Sequence, residues 1–182
     1  MKYTGTGSEL IEIGCSHLIT ELSMHLSQQG FELLTGDRIG TESAFRTGAK
    51  HKTVFTVHFN PNINEYTVTS GKSLMFAEKM LNKFIENDRI GFVVPNPVML
   101  RNLAMECHIV LGKDLSSPSS FMLLYRDPNE LKSISELIAE DLDIPIFNIA
   151  NKETQEVMTD MLKRRGDIHD IIYSYNIKRK AV

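Results

Sequence analysis

Short runs rich in β-branched and aromatic residues alternate with helix-period segments along this 182-residue chain, and that alternation constrains the fold most. A strand that feeds a helix and then another strand joins parallel neighbours, so a series of such units makes a mostly parallel sheet. The expected class is α/β, Rossmann-like, with helices on both faces. Length allows one substantial core, so residues 1–166 are expected to form a single domain and 167–182 a C-terminal tail.

Residues 2–6 read as the first strand, with Ser8 as N-cap of a helix that carries Ile11, Cys15, Leu18, Leu22 and Leu26 and stops at Gly30. Residues 31–34 read as the second strand, 41–49 as a helix, and 53–59 as the strand clearest by composition. A turn-rich break at 60–64 follows, then an extended piece at 66–69 and a helix capped by Ser70 with Leu74, Ala77, Leu81, Phe84 and Ile85 on one face. Residues 90–94 fit a strand or an apolar connection. Asn96-Pro97 starts a helix that turns Val98, Leu103, Ala104 and Cys107 inward. Residues 121–125 form another strand. Asp127, Pro128 and Glu130 then read as a capping box for a helix carrying Leu131, Ile134, Ile138 and Leu142. A last strand at 144–148, a helix capped by Asn151, and a partly aromatic tail with a basic end complete the chain.

Two glycine-bearing turns follow the first two strands. In a parallel sheet such turns gather at one edge, where glycines let the backbone approach an anion and helix starts offer amides. The candidate ligand-binding residues are Gly5, Thr6, Gly7 and Ser8 in the first turn and Thr35, Gly36, Arg38, Gly40, Thr41 and Glu42 in the second. Arg38 carries the one full positive charge in either turn, suited to a phosphate. Glu42 is read as support for a helix N-terminus, and Asp37 as a solvated carboxylate.

Other function classes find less support. The chain holds 20 Lys and Arg against 23 Asp and Glu, a net charge of −3, so no overall field draws it to nucleic acid or an anionic membrane. No run approaches the ~20 apolar residues of a membrane span, and the expected compartment is the cytoplasm. Cys15 and Cys107 lack CxxC spacing and read as buried thiols, and the 6 histidines show no repeated ligand spacing. No catalytic set, metal site or cofactor is expected.

The opening residues 2–8, Leu34-Thr35-Gly36, and the stretch from Gly40 through Glu42 and Arg46 to Ala49 resemble the SLOG superfamily of Rossmann-like proteins. The likeness is to small phage and bacterial members akin to the DNA-processing protein A core. Val110-Leu111-Gly112-Lys113-Asp114-Leu115, followed by Pro118-Ser119, resembles the loop those members carry before a late strand. The resemblance implies binding of a nucleotide-derived small molecule along the crest of the sheet, and a viral accessory role in host cytoplasm. Three departures stand out. Glu9-Leu10-Ile11-Glu12 stands where close members place Arg and then Thr-Pro. Met105-Glu106 stands where they have Arg-Asn, and Asp127-Pro128-Asn129-Glu130 replaces a Gly-Gly-Thr loop that the hydrolase subgroup needs. Non-catalytic binding is therefore the principal expectation. Two alternatives stay open: a scaffold that binds a host or viral protein through its surface, and a nucleotide N-glycosidic hydrolase. Assembly into a homo-oligomer is also left open.

Overall fold

The strand-rich runs form one sheet and the helical runs cover it on both sides in the computed structural model, which describes residues 1–58, 65–68, 70–91 and 93–180. Among the described residues there are six strands: β1 (Lys2–Gly7), β2 (Glu32–Gly36), β3 (Lys52–Thr56), β4 (Glu65–Thr67), β5 (Met122–Tyr125) and β6 (Ile146–Asn148). Every pairing is parallel, in the order β4-β3-β2-β1-β5-β6. The chain lays down β1 to β4 in one direction, then returns to place β5 on the other side of β1. That reversal creates a topological switch point between β1 and β5, the expected Rossmann-like arrangement.

Seven helices are described: α1 (Ile13–Gln28), α2 (Thr41–Gly48), α3 (Gly71–Glu86), α4 (Pro97–Leu111), α5 (Ile134–Asp141), α6 (Lys152–Arg164) and α7 (Ile168–Lys180). Strand residues alternate between two cores. Leu34, Phe55, Met122 and Leu124 join α3, α4 and α5 on one face. Tyr3, Leu33, Phe121, Leu123 and Phe147 join α1, α2, α6 and α7 on the other. Strands buried on both faces explain the unbroken apolar run of β5 and the paired leucines of β2. Each fully buried Leu or Phe contributes about 1.5–3 kcal/mol.

Polar ties fix the layers. The Thr4 hydroxyl on β1 donates to the Ile109 carbonyl on α4 at 2.7 Å. Tyr3 and Ser23 share a buried hydrogen bond at 3.0 Å, which joins β1 to α1. Cys15 and Cys107 are buried free thiols, and burial pushes Cys107 up to about 12. Ser70 caps α3 and Asn96 caps α4, both through side-chain oxygens.

Several boundaries differ from the sequence reading. Ser8 does not cap α1. Its amide donates to the Tyr125 carbonyl at 2.8 Å and its hydroxyl donates to Glu130, so the helix starts five residues later behind Glu12. Asp127 does not open α5 either, because its carboxylate accepts from the Asn129 amide at 2.8 Å in a local turn. Ser133 and Glu136 form the capping box instead, and Leu131 is left 94% exposed. Val98 points outward. Among the described residues of 90–94 there is no strand. The last strand shortens to Ile146–Asn148, with Pro145 contributing only its carbonyl, to Met122. Asn151 sits at the head of α6 without a side-chain cap bond. Phe59, Thr69 and the expected turn at 60–64 lie outside the described residues. The stretch read as a tail folds into α7, with Ile168 buried and Tyr175 packed edge-on against Phe147 at 5.2 Å. Among the described residues no helix is long and apolar enough to cross a membrane.

Candidate functional site

The two glycine corners meet at the carboxyl edge of the sheet, joined by hydrogen bonds to each other. Thr41 sends both its amide (3.2 Å) and its hydroxyl (2.7 Å) to the Ser8 carbonyl. Glu42 is fully buried beneath them, and its carboxylate accepts from the Thr6 hydroxyl at 3.0 Å and the Arg38 amide at 2.9 Å. Burial raises the Glu42 pKa, an effect opposed by Arg38 and by these hydrogen bonds. The Ser8, Arg38 and Thr41 amides thus already have protein acceptors, and the corners do not present them to a ligand as sequence reasoning expected.

The glycines serve this close fit. Gly40 has φ +74°, and a Cβ there would lie 2.1 Å from the Glu9 carbonyl oxygen. Gly7 has φ +147°, and its Cβ would meet the Tyr125 carbonyl at 2.2 Å. At Gly36 a side chain would strike the Glu42 carboxylate, and at Gly5 it would strike Leu33 and Phe45. Gly5 and Thr35 lie inside the sheet, where the Thr35 hydroxyl donates to the Gly5 carbonyl at 2.6 Å. The Gly36 carbonyl accepts from Arg46 at 2.6 Å. Asp37, expected to be solvated, accepts from the Thr56 hydroxyl at 2.5 Å.

Of the ten predicted residues, Thr6, Gly7, Ser8 and Arg38 line a cavity of about 160 Å³ at the β1/β5 switch point. The opposite wall comes from Leu124, Arg126, Glu130, Leu131, Ser133 and Glu136. Arg38 reaches across to Glu106 on α4 at 2.9 Å, and Glu106 in turn accepts from the Ser135 amide at 3.1 Å. Burial opposes the Arg38 charge, but Glu106, Glu42 and Glu9 outweigh it and raise the pKa, so the guanidinium stays charged. Arg126 donates to Glu136 at 2.9 Å and to the Glu130 carbonyl at 2.8 Å. Each guanidinium keeps further N–H groups beyond these bonds, and the Ser8 and Ser133 hydroxyls in the same lining are bonded to Glu130 and to Ser135.

The arrangement suits one compact anionic group held by arginines and hydroxyls. Of the carboxylates around it, Glu42 is enclosed, Glu136 is engaged by Arg126 and the Ser133 amide (3.1 Å), and Glu130 is bonded to the Ser8 hydroxyl. Among the described residues no group of three or more His, Cys, Asp or Glu is placed to hold a metal ion. Sequence reasoning missed Arg126, Ser133 and Glu106 as site residues. The Ser133-x-x-Glu136 spacing was a usable signal, masked by the equally spaced Asp127 and Glu130 with a proline between them. Comparison with known proteins gives no matching family model, no matching curated protein and no matching solved structure.

Proposed function

We propose that this protein binds the phosphorylated sugar of a nucleotide or nucleotide-derived molecule, without catalysis, in the cavity between the Gly7-Ser8 corner and the 126–133 segment. The observation that carries this reading is the cavity's position. Ligands of open α/β sheets bind outside the carboxyl ends of the strands where strand order reverses, and this cavity lies between β1 and β5 at that reversal. Two arginines on opposite walls supply the charge. Arg38 and Arg126 would clamp the phosphate, with Ser8 and Ser133 donating hydroxyls. Glu130, now bonded to Ser8, occupies the place an incoming anion would take and must give way to it. The SLOG resemblance points to the same ligand class, and a phage accessory role that sequesters a signalling nucleotide rests on that resemblance.

Isothermal titration with nucleoside mono-, di- and cyclic phosphates tests the reading. Binding that weakens by at least tenfold in Arg126→Ala is expected. No heat with any of them contradicts it. A protein-binding role has its own support in the apolar side chains flanking these loops, Leu10 at 86%, Ile39 at 68% and Leu131 exposed. Pull-down from a host lysate by wild type but not by a Leu10→Ser/Leu131→Ser variant would favour that second reading.

A further inference from the structure

The switch-point cavity, at about 160 Å³, is below the ~300–1,000 Å³ of sites that enclose a whole small ligand. A sugar phosphate seated there leaves the remainder of a nucleotide outside. Arg126 and Glu136 also form a wall of a second, larger cavity of about 660 Å³. This neighbour runs along the edge strand β6, from Ile144 before it to Asn148 at its end, and its other walls come from α5, the head of α6, and α7.

Its chemistry differs from that of the smaller cavity. Its cations are matched by carboxylates, Arg126 by Glu136 and Lys132 by Glu140 at 2.5 Å, as Arg38 is by Glu106 in the smaller cavity, so the difference lies in its apolar, aromatic and side-chain amide lining. Ile144 and Ile146 supply an apolar side. Tyr175 supplies an aromatic ring held edge-on against Phe147, and Asn151 at the head of α6 supplies a side-chain amide that makes no cap bond. A flat heterocycle uses both features: a face for the ring and ring-edge donors and acceptors for the amide. Asn148 holds the backbone of Arg126 from both sides, accepting from its amide at 3.1 Å and donating to its carbonyl at 2.9 Å, so the wall between the cavities has a fixed base.

We propose that the larger cavity receives the nucleobase of the same molecule whose sugar phosphate fills the smaller one, with Tyr175 and Asn151 as the residues that recognise the base. This rests on the sugar-phosphate reading above. The test is isothermal titration of wild type, Asn151→Ala and Tyr175→Leu with ribose 5-phosphate and with four nucleoside 5′-monophosphates. Wild type is expected to bind at least one nucleotide about tenfold more tightly than ribose 5-phosphate, the scale of one base stacked on an aromatic side chain. Each variant is expected to lose most of that gain while binding ribose 5-phosphate as wild type does. Asn151 is exposed, so its variant keeps the test valid if Tyr175→Leu disturbs α7. Equal affinity for nucleotide and ribose 5-phosphate, or an equal loss of both in the variants, overturns the base site and leaves the sugar-phosphate site standing. Absence of binding by every compound overturns both.

Discussion

The two walls of the switch-point cavity are built on opposite principles. On one side, the glycine corners around Gly7 and Gly40 are locked by backbone contacts too close for any side chain, and by the buried Glu42 carboxylate. On the other, the segment from Arg126 to Ser133 is mostly exposed and held by side-chain bonds at its ends. The first wall is scaffold with few groups to spare; the second carries adjustable charge. A glycine-rich turn after a strand therefore marks where the backbone comes close, and here what it comes close to is another part of the same chain.

The largest expected effect breaks the rigid wall. Gly40→Ala places a Cβ against the Glu9 backbone at a left-handed φ, and urea denaturation should show a loss of about 3 kcal/mol. A loss under 1 kcal/mol would mean that the corners are not locked. Arg126→Ala acts on the adjustable wall. It should weaken nucleotide binding by roughly thirtyfold in titration, while fold stability changes less than in Gly40→Ala.

Acid should affect the core behind the rigid wall. His108 on α4 is buried and stacked on Phe55 of β3 at 5.4 Å; its Nδ1–H donates to the Gly112 carbonyl and its Nε2 accepts from Ser73, both at 2.8 Å. Burial lowers its pKa, with Lys72 acting in the same direction and the Gly112 bond and Asp114 opposing. The folded state therefore prefers the neutral ring. Its contribution is complete above the unfolded value of about 6.5 and is lost as pH falls below it, by at most ~1.4 kcal/mol per pH unit. Denaturation midpoints at pH 7.5 and 5.5 should differ in wild type, and His108→Gln should narrow the difference.

Smaller effects sharpen the contrast. Glu130→Gln removes the carboxylate that competes for Ser8, and nucleotide affinity should rise about fivefold. Unchanged or weaker binding would remove Glu130 from the account. Leu131→Ser, at an exposed position in the same segment, should leave stability within about 0.5 kcal/mol of wild type.

The sheet was readable because its strands are buried on both faces and stand out as short apolar runs such as Met122-Leu123-Leu124-Tyr125 between helical periods. Helix starts marked by Ser70 and Asn96 were readable for a local reason: the cap bonds lie within three residues. The start of α1 was not, because Ser8 is claimed by Tyr125 and Glu130, more than 100 residues away. The candidate site divides in the same way. Thr6 through Ser8 and Arg38 could be placed at the sheet edge from local pattern. Arg126, Ser133 and Glu106 enter only through the return of the chain to β5, which no short motif encodes.

The most direct measurement is backbone amide chemical-shift mapping during titration with a nucleoside 5′-monophosphate. The account predicts shifts concentrated at Ser8, Arg38, Arg126, Glu130 and Ser133, with the interior amides of Gly5 and Thr35 unmoved. Shifts confined to Gly36 through Glu42, or none across the edge of the sheet, would contradict it.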